Sequence, residues 1–189
     1  MSKPKVAIVK CATPEGNAEF MAGKFVRKDS DIAKIKEAVA KAVELAIGSP
    51  DAIIKPGQKV LIKPNLAFQA PPESFAVVDP RVVEAVVAYF KENSKAGEIW
   101  VGDNPSLGLH VGRAKPAFAA SGMEEAAKRG GADKVIYFDE TEVVEVDIPE
   151  AKVFKKAAIF KPVLDADVII NLPKMKVHLA GTVTLALKN

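Results

Sequence analysis

The chain has 189 residues, the size of one domain or of one domain with a small subdomain. Apolar residues make up 49% and charged residues 27%, a globular composition that excludes disordered, collagen-like and low-complexity chains. The single cysteine, Cys11, excludes a disulfide framework, a multi-cysteine zinc site and a four-thiolate iron–sulfur cluster held by this chain alone, and a net charge of +3 with mixed signs leaves one basic stretch, near the C-terminus.

Lys5 to Lys10 (KVAIVK) is a short β-branched run, expected as a first strand. It follows Met1 with no signal-peptide pattern, and no apolar run nears the ~20 residues that span a bilayer. The expectation is a cytoplasmic protein with Cys11 reduced. Cys11 to Asp29 has no clear period and reads as a long loop or an inserted turn. From Ser30, as N-cap, Ile32, Ile35, Val39, Ala42, Val43, Ala46 and Ile47 fall on one helical face, and Gly48 and Pro50 end the helix. Lys59 to Pro64 (KVLIKP) is a buried-type strand. Asp79-Pro80 reads as an N-cap and a first-turn proline, and Val82, Val83, Val86, Val87 and Phe90 give the next helix its stripe.

Gly97 to Val101 is a further strand. Two short helices broken at Gly122 follow, then a strand over Lys134 to Phe138. Glu142 to Ile148 alternates charged and apolar residues, and Val153 to Phe160 continues that element. Asp167 to Leu172 is a short apolar run stopped by Pro173. Thr182 to Leu187 fits a strand or a helix equally well. Strands alternating with helices imply an α/β fold: a mostly parallel, Rossmann-like three-layer sheet in one domain over 1–189, with an antiparallel excursion at 142–160.

In open α/β sheets ligands bind beyond the carboxyl ends of the strands, and three polar groups stand there. Lys63-Pro64-Asn65 could hold an anion through the lysine and the amide, or be a snorkelling lysine and a turn. Gly102-Asp103-Asn104-Pro105-Ser106 offers a general base, a hydroxyl contact or a metal ligand in Asp103, or an Asx turn. Ser106 is a cap or a phosphate contact. The densest group is Asn171-Leu172-Pro173-Lys174-Met175-Lys176-Val177-His178, with Gly181 and Lys188 beyond it. Its cations favour the neutral imidazole of His178, a base or a metal ligand; the alternative is a basic surface loop. His110, in a Gly-rich stretch, reads as structural. The P-loop, GxGxxG, HExxH and GxSxG patterns are missing, which argues against the common NTPases, dinucleotide dehydrogenases, zinc proteases and hydrolases.

The runs Val60-Leu61-Ile62-Lys63-Pro64-Asn65, Asp79-Pro80-Arg81-Val82-Val83, Val101-Gly102-Asp103-Asn104-Pro105, Ala166-Asp167-Val168-Ile169-Ile170-Asn171-Leu172-Pro173-Lys174 and Ala186-Leu187-Lys188-Asn189 come in that order. Together they resemble the family catalogued as domain of unknown function 362, over nearly the whole chain. The resemblance implies a cytosolic α/β domain of bacteria and archaea, often joined to a ferredoxin-type iron–sulfur module whose cysteines this chain lacks. It supplies no activity. The family pattern continues past Asn189, so a chain truncated at its C-terminus relative to the family is expected. The segment Asp167-Val168-Ile169-Ile170 with His178, Gly181 and Lys188 is also similar to a stretch of the lactate racemase family. There the histidine transfers a proton and a lysine ten positions on holds a nickel-pincer nucleotide. The Gly-rich run before that lysine is replaced here by Thr182-Val183-Thr184-Leu185.

The leading expectation is a small-molecule enzyme or cofactor-dependent domain that binds an anionic small molecule or cofactor. His178, Asp103 and Lys188 are the candidate catalytic residues; Lys63, Asn65, Asn104, Asn171, Lys174 and Lys176 are the candidate ligand-binding residues. No metal site is assigned, and the cofactor is unknown. The alternative is a non-catalytic cofactor carrier or electron-transfer module with an iron–sulfur partner protein. Small net charge and no interleaved aromatic residues argue against nucleic-acid binding.

Overall fold

A computed structural model describes residues 5–11, 22–105, 113–178 and 181–189. Ser106 and His110, two residues weighed above, lie outside these. The sheet forms where apolar runs are short and bounded: β1 (Lys59–Pro64), β2 (Glu98–Asp103), β3 (Lys134–Tyr137) and β6 (Val168–Leu172). They pair in the order β3-β2-β1-β6, all parallel. Val60, Leu61 and Ile62 at the centre of β1 are fully buried, worth roughly 1.5–3 kcal/mol each.

Alternation along the strands divides the core between two faces. Val60, Ile62, Ile99 and Val101 face the larger layer of α1 (Asp29–Ile47), α2 (Pro80–Asn93), α3 (Ala114–Ala120) and α4 (Met123–Gly130). Leu61, Trp100 and Phe138 face a thinner layer, where Phe160 and Val163 pack against them. Val163 belongs to α5 (Lys161–Asp165), and Phe160 ends β5 (Lys156–Phe160). β5 pairs antiparallel with β4 (Val143–Asp147), so the expected excursion at 142–160 is a hairpin beside the parallel sheet. Gly102 is required by close approach: a Cβ there would sit 2.5 Å from the Phe138 ring.

Asp79 caps α2 by accepting from the Arg81 backbone N–H, with Pro80 in the first turn. The two short helices break at Gly122, whose φ is +71°. α1 begins at Asp29, not at a capping Ser30; its N-cap residue is Lys28, with no side-chain cap bond. The expected strand over Lys5–Lys10 does not form among the described residues. Val6 and Ile8 are 84% and 93% exposed, and Ala7 lines an open apolar cavity with Val43, Ile47 and Ile170. A β-branched run fits a strand, but only a sheet edge that accepts its hydrogen bonds makes it one.

Ion pairs lock the helical layer. Buried Arg81 meets Asp79 at 2.7 Å and Asp31 of α1 at 3.3 Å. Buried Glu84 of α2 accepts from Arg27 Nε at 2.8 Å and from Arg129 Nε of α4 at 3.0 Å. Burial by itself raises the Glu84 carboxyl, but the two guanidiniums outweigh it and hold it below its ordinary value. The stability it contributes is therefore complete above the unfolded carboxylate pKa, about 4.3, and is lost as pH falls through the lower folded value. Glu84→Gln should cost roughly 2 kcal/mol at pH 7, less than the ~3–5 kcal/mol of a fully buried pair because both arginines are partly exposed. Urea unfolding should show the gap to the unmutated protein narrowing as pH falls below about 4; a gap independent of pH would contradict the assignment.

Candidate functional site

β1, β2 and β6 end side by side, and a second hairpin lies over their carboxyl ends. It consists of β7 (Lys176–His178) and β8 (Thr182–Thr184), paired Lys176 to Thr184 and His178 to Thr182. The strand period of two puts Lys176 and His178 on one face of β7 and leaves Val177 on the other, 87% exposed. The face bearing Lys176 and His178 closes a cleft with about 80 Å³ of open space. Lys63, Asn65, Leu66, Ala67, Asp103, Asn104, Lys176, His178, Thr184, Lys188 and Asn189 line it.

Asp103 ends β2 and is 3% exposed. Its Oδ1 meets the Lys63 ammonium at 2.6 Å, and its Oδ2 accepts from the Leu66 backbone N–H at 2.9 Å. Burial pushes its carboxyl up, opposed by the Lys63 charge and by the backbone N–H groups of Leu66 and Asn104. The Asx-turn alternative does not account for these contacts, because Asp103 reaches across to the loop that leaves β1.

Lys176 donates to the Ala76 carbonyl in the segment between β1 and α2. Burial lowers its ammonium, and the charges of Lys188 and Lys174 lower it further. Thus, among the described residues, Lys63, Lys176 and Lys188 line the cleft with one side-chain carboxylate, that of Asp103. His178 Nδ1 accepts the Gly181 backbone N–H at 3.0 Å. In the neutral ring the proton then sits on Nε2, which becomes a donor.

An amide relay crosses the ends of β1 and β6. Asn171 pairs with Lys63 in the parallel register and donates to the Ala186 carbonyl at 2.7 Å. Asn189 donates to Asn171 Oδ1 at 2.7 Å and to the Lys63 carbonyl at 3.3 Å. Asn65 donates to Asn189 Oδ1 at 2.8 Å. Two buried side-chain oxygens of the cleft, Asn65 Oδ1 and Thr184 Oγ1, have no hydrogen-bond partner among the described residues.

Of the nine residues singled out from sequence, Lys63, Asn65, Asp103, Asn104, Lys176, His178 and Lys188 line this cleft. Asn171 lies behind it as a link in the relay. Lys174 points elsewhere: its ammonium sits 5.8 Å over the Phe75 ring, and burial lowers it against the opposing charge of Asp79. Thr184 and Asn189 were not anticipated. The hairpin register that sets Thr184 opposite Lys176 is the missing information for the first. For Asn189, its place in the Leu187-Lys188-Asn189 run was the available signal. The lysines and amides suit an anionic group. Among the described residues no cluster of three or more His, Cys, Asp or Glu could hold a metal ion.

The family model described as Domain of unknown function (DUF362) matches residues 60–189, a span that contains every lining residue of the cleft. Thylakoid-associated protein sll1697 of Synechocystis sp. is 31% identical over 148 residues, 76% of this chain. The chain spans 41% of the length of that curated relative. No solved structure matches the chain. Among the described residues no helix is long and apolar enough to cross a membrane.

Removing Asp103 strands a half-buried lysine and the Leu66 N–H together. Asp103→Ala should therefore destabilise the protein by roughly 2–4 kcal/mol in chemical denaturation. In a double-mutant cycle with Lys63→Met the two costs should fall short of additive by about 1 kcal/mol or more. Additive costs would show that the pair is not coupled.

Proposed function

The chain belongs to the family of domains of unknown function 362, and from that premise we propose that the cleft binds a small anion, on which the protein acts as a small-molecule enzyme or cofactor-dependent domain. The observation that carries this reading is the charge imbalance of one small cleft: Lys63, Lys176 and Lys188 against Asp103. Asp103 compensates Lys63 at 2.6 Å, which leaves the charges of Lys176 and Lys188 to the ligand. Burial lowers the Lys176 ammonium first and the charges of Lys188 and Lys174 lower it further; a bound anion offsets that repulsion.

The volume sets the scale. About 80 Å³ takes a small oxyanion or carboxylate, well below the ~300 Å³ at which ordinary ligand pockets begin. A nickel-pincer nucleotide does not fit this space. Within the cleft, Asn104 and Asn65 orient the ligand and Asp103 holds Lys63 in place. Lys188 is a charge contact for the anion. His178, with Nδ1 accepting from Gly181, lines the cleft and stands within it as a polar contact for the ligand. Acting as a base at Nε2 would require the other tautomer and the loss of the Gly181 bond.

That constraint favours a second reading, a non-catalytic carrier or electron-transfer module serving an iron–sulfur partner. The imidazole and the carboxylate of the cleft are both already engaged. Bound small molecules found by mass spectrometry of the purified protein, with no turnover of them, would favour the carrier. The proposed location is the cytoplasm, with fractionation against thylakoid-type membranes as its check.

Anion binding is tested with inorganic phosphate, read as a rise in thermal stability with concentration. Lys176→Met and Lys188→Met should each weaken binding by about tenfold, the loss of one charge-assisted contact. In the unmutated protein the affinity should fall as pH rises through the lowered pKa of Lys176, beginning below the ordinary lysine value of about 10.4. In Lys176→Met that alkaline decline should be reduced. Phosphate binding unaffected by either substitution would place the anion elsewhere and overturn the reading.

A further inference from the structure

The polarity of the amide relay is set by groups that cannot change roles. The Ala186 and Lys63 carbonyls accept and never donate. Ala186 therefore takes the Asn171 amino group, which turns Asn171 Oδ1 toward Asn189. Asn189 must answer with its own amino group, and that same group faces the Lys63 carbonyl. Its Oδ1 then takes the Asn65 amino group. Turning over any one amide sets two acceptors face to face. Turning all three sets Asn171 Oδ1 against the Ala186 carbonyl and Asn189 Oδ1 against that of Lys63. Only one orientation satisfies the chain, and it leaves Asn65 Oδ1 as the uncommitted atom.

Asn65 is 7% exposed and lines the cleft, and its Oδ1 has no partner among the described residues. A carbonyl oxygen can only accept, so what meets it must bring a proton. The lysines around it ask for negative charge. Thr184 Oγ1, also buried and without a partner among the described residues, donates or accepts and so does not choose. From these groups we infer that the cleft selects an oxyanion that carries its own O–H: the hydroxyl donates to Asn65 Oδ1 while Lys176 and Lys188 neutralise the charge. This inference rests on the anion-binding reading above and adds the chemical class of the ligand. An oxyanion with no proton would set an oxygen lone pair against Asn65 Oδ1, leaving a buried acceptor unmet and adding repulsion.

Two matched pairs of probes test it on the full chain at neutral pH, read by calorimetric titration. Inorganic phosphate keeps a P–O–H where sulfate has none, and glycolate carries a hydroxyl that acetate lacks. Sulfate is at least as highly charged as phosphate there, so charge alone does not produce a phosphate preference. Phosphate should bind about tenfold or more tightly than sulfate if the natural ligand is a phosphate, and glycolate should show that margin over acetate if it is a hydroxycarboxylate. Either margin supports the inference. Asn189→Ala cuts the relay and frees Asn65 to turn its amino group toward the ligand, so the margin should shrink to about twofold or less while anion binding persists. Asn65→Leu should abolish the margin as well, and if that variant does not fold, Asn189→Ala decides. Equal binding within both pairs, or a full margin retained in Asn189→Ala, overturns the inference and leaves the anion cleft standing. Failure of all four probes to bind overturns the anion reading itself.

Discussion

The ion pair between Lys63 and Asp103 closes the sheet at the end where its two central strands stop. β1 and β2 run parallel, so both deliver polar residues at their carboxyl ends, where ladder bonds run out. Asp103 answers both needs. One oxygen compensates the lysine, and the other takes the backbone N–H of Leu66, the second residue beyond β1. The segment that leaves β1 is thereby turned, and Asn65 with it. The 2.5 Å approach of the Phe138 ring to the place of a Gly102 Cβ leaves no room for a side chain just before Asp103.

The relay of asparagines extends this closure from β1 to β6. Its three amides are Asn65 just beyond β1, Asn171 on β6 and Asn189, and each has its partner set by a backbone carbonyl or by the next amide. A polar network anchored on backbone carbonyls that can only accept carries a definite direction, whereas a loose cluster of amides would not. The β7–β8 hairpin supplies the opposite wall. It places Lys176 and His178 over the strand ends, with Thr184 across from Lys176. Charge, a directed acceptor and an engaged imidazole meet in a space of about 80 Å³, assigned in the proposal above to a small anion.

The parallel sheet and its helices were legible because their signals are local: apolar runs with sharp ends, the Asp79-Pro80 start of α2, and the break at Gly122. The site was legible to the extent that strand ends can be read, since polar residues directly after β1, β2 and β6 meet wherever those strands are neighbours. Lys5–Lys10 failed as a strand because its pairing depends on an edge that local composition does not describe. Lys174 and Lys176 look alike in sequence, yet only Lys176 lines the cleft, since Lys176 begins β7 while Lys174 lies before it, over the Phe75 ring. Thr184 and the direction of the relay depend on register and on hydrogen-bond polarity, neither of which a residue pattern contains.

The most direct measurement is a map of backbone and side-chain amide chemical shifts as inorganic phosphate is added to the isotope-labelled protein. The expected result is a set of shifts confined to the ends of β1 and β2 and to the β7–β8 hairpin. The Asn65 side-chain amide should respond in step with Lys176 and His178. Shifts centred elsewhere on the surface, or none at saturating phosphate, would contradict the central claim that these strand ends form an anion site.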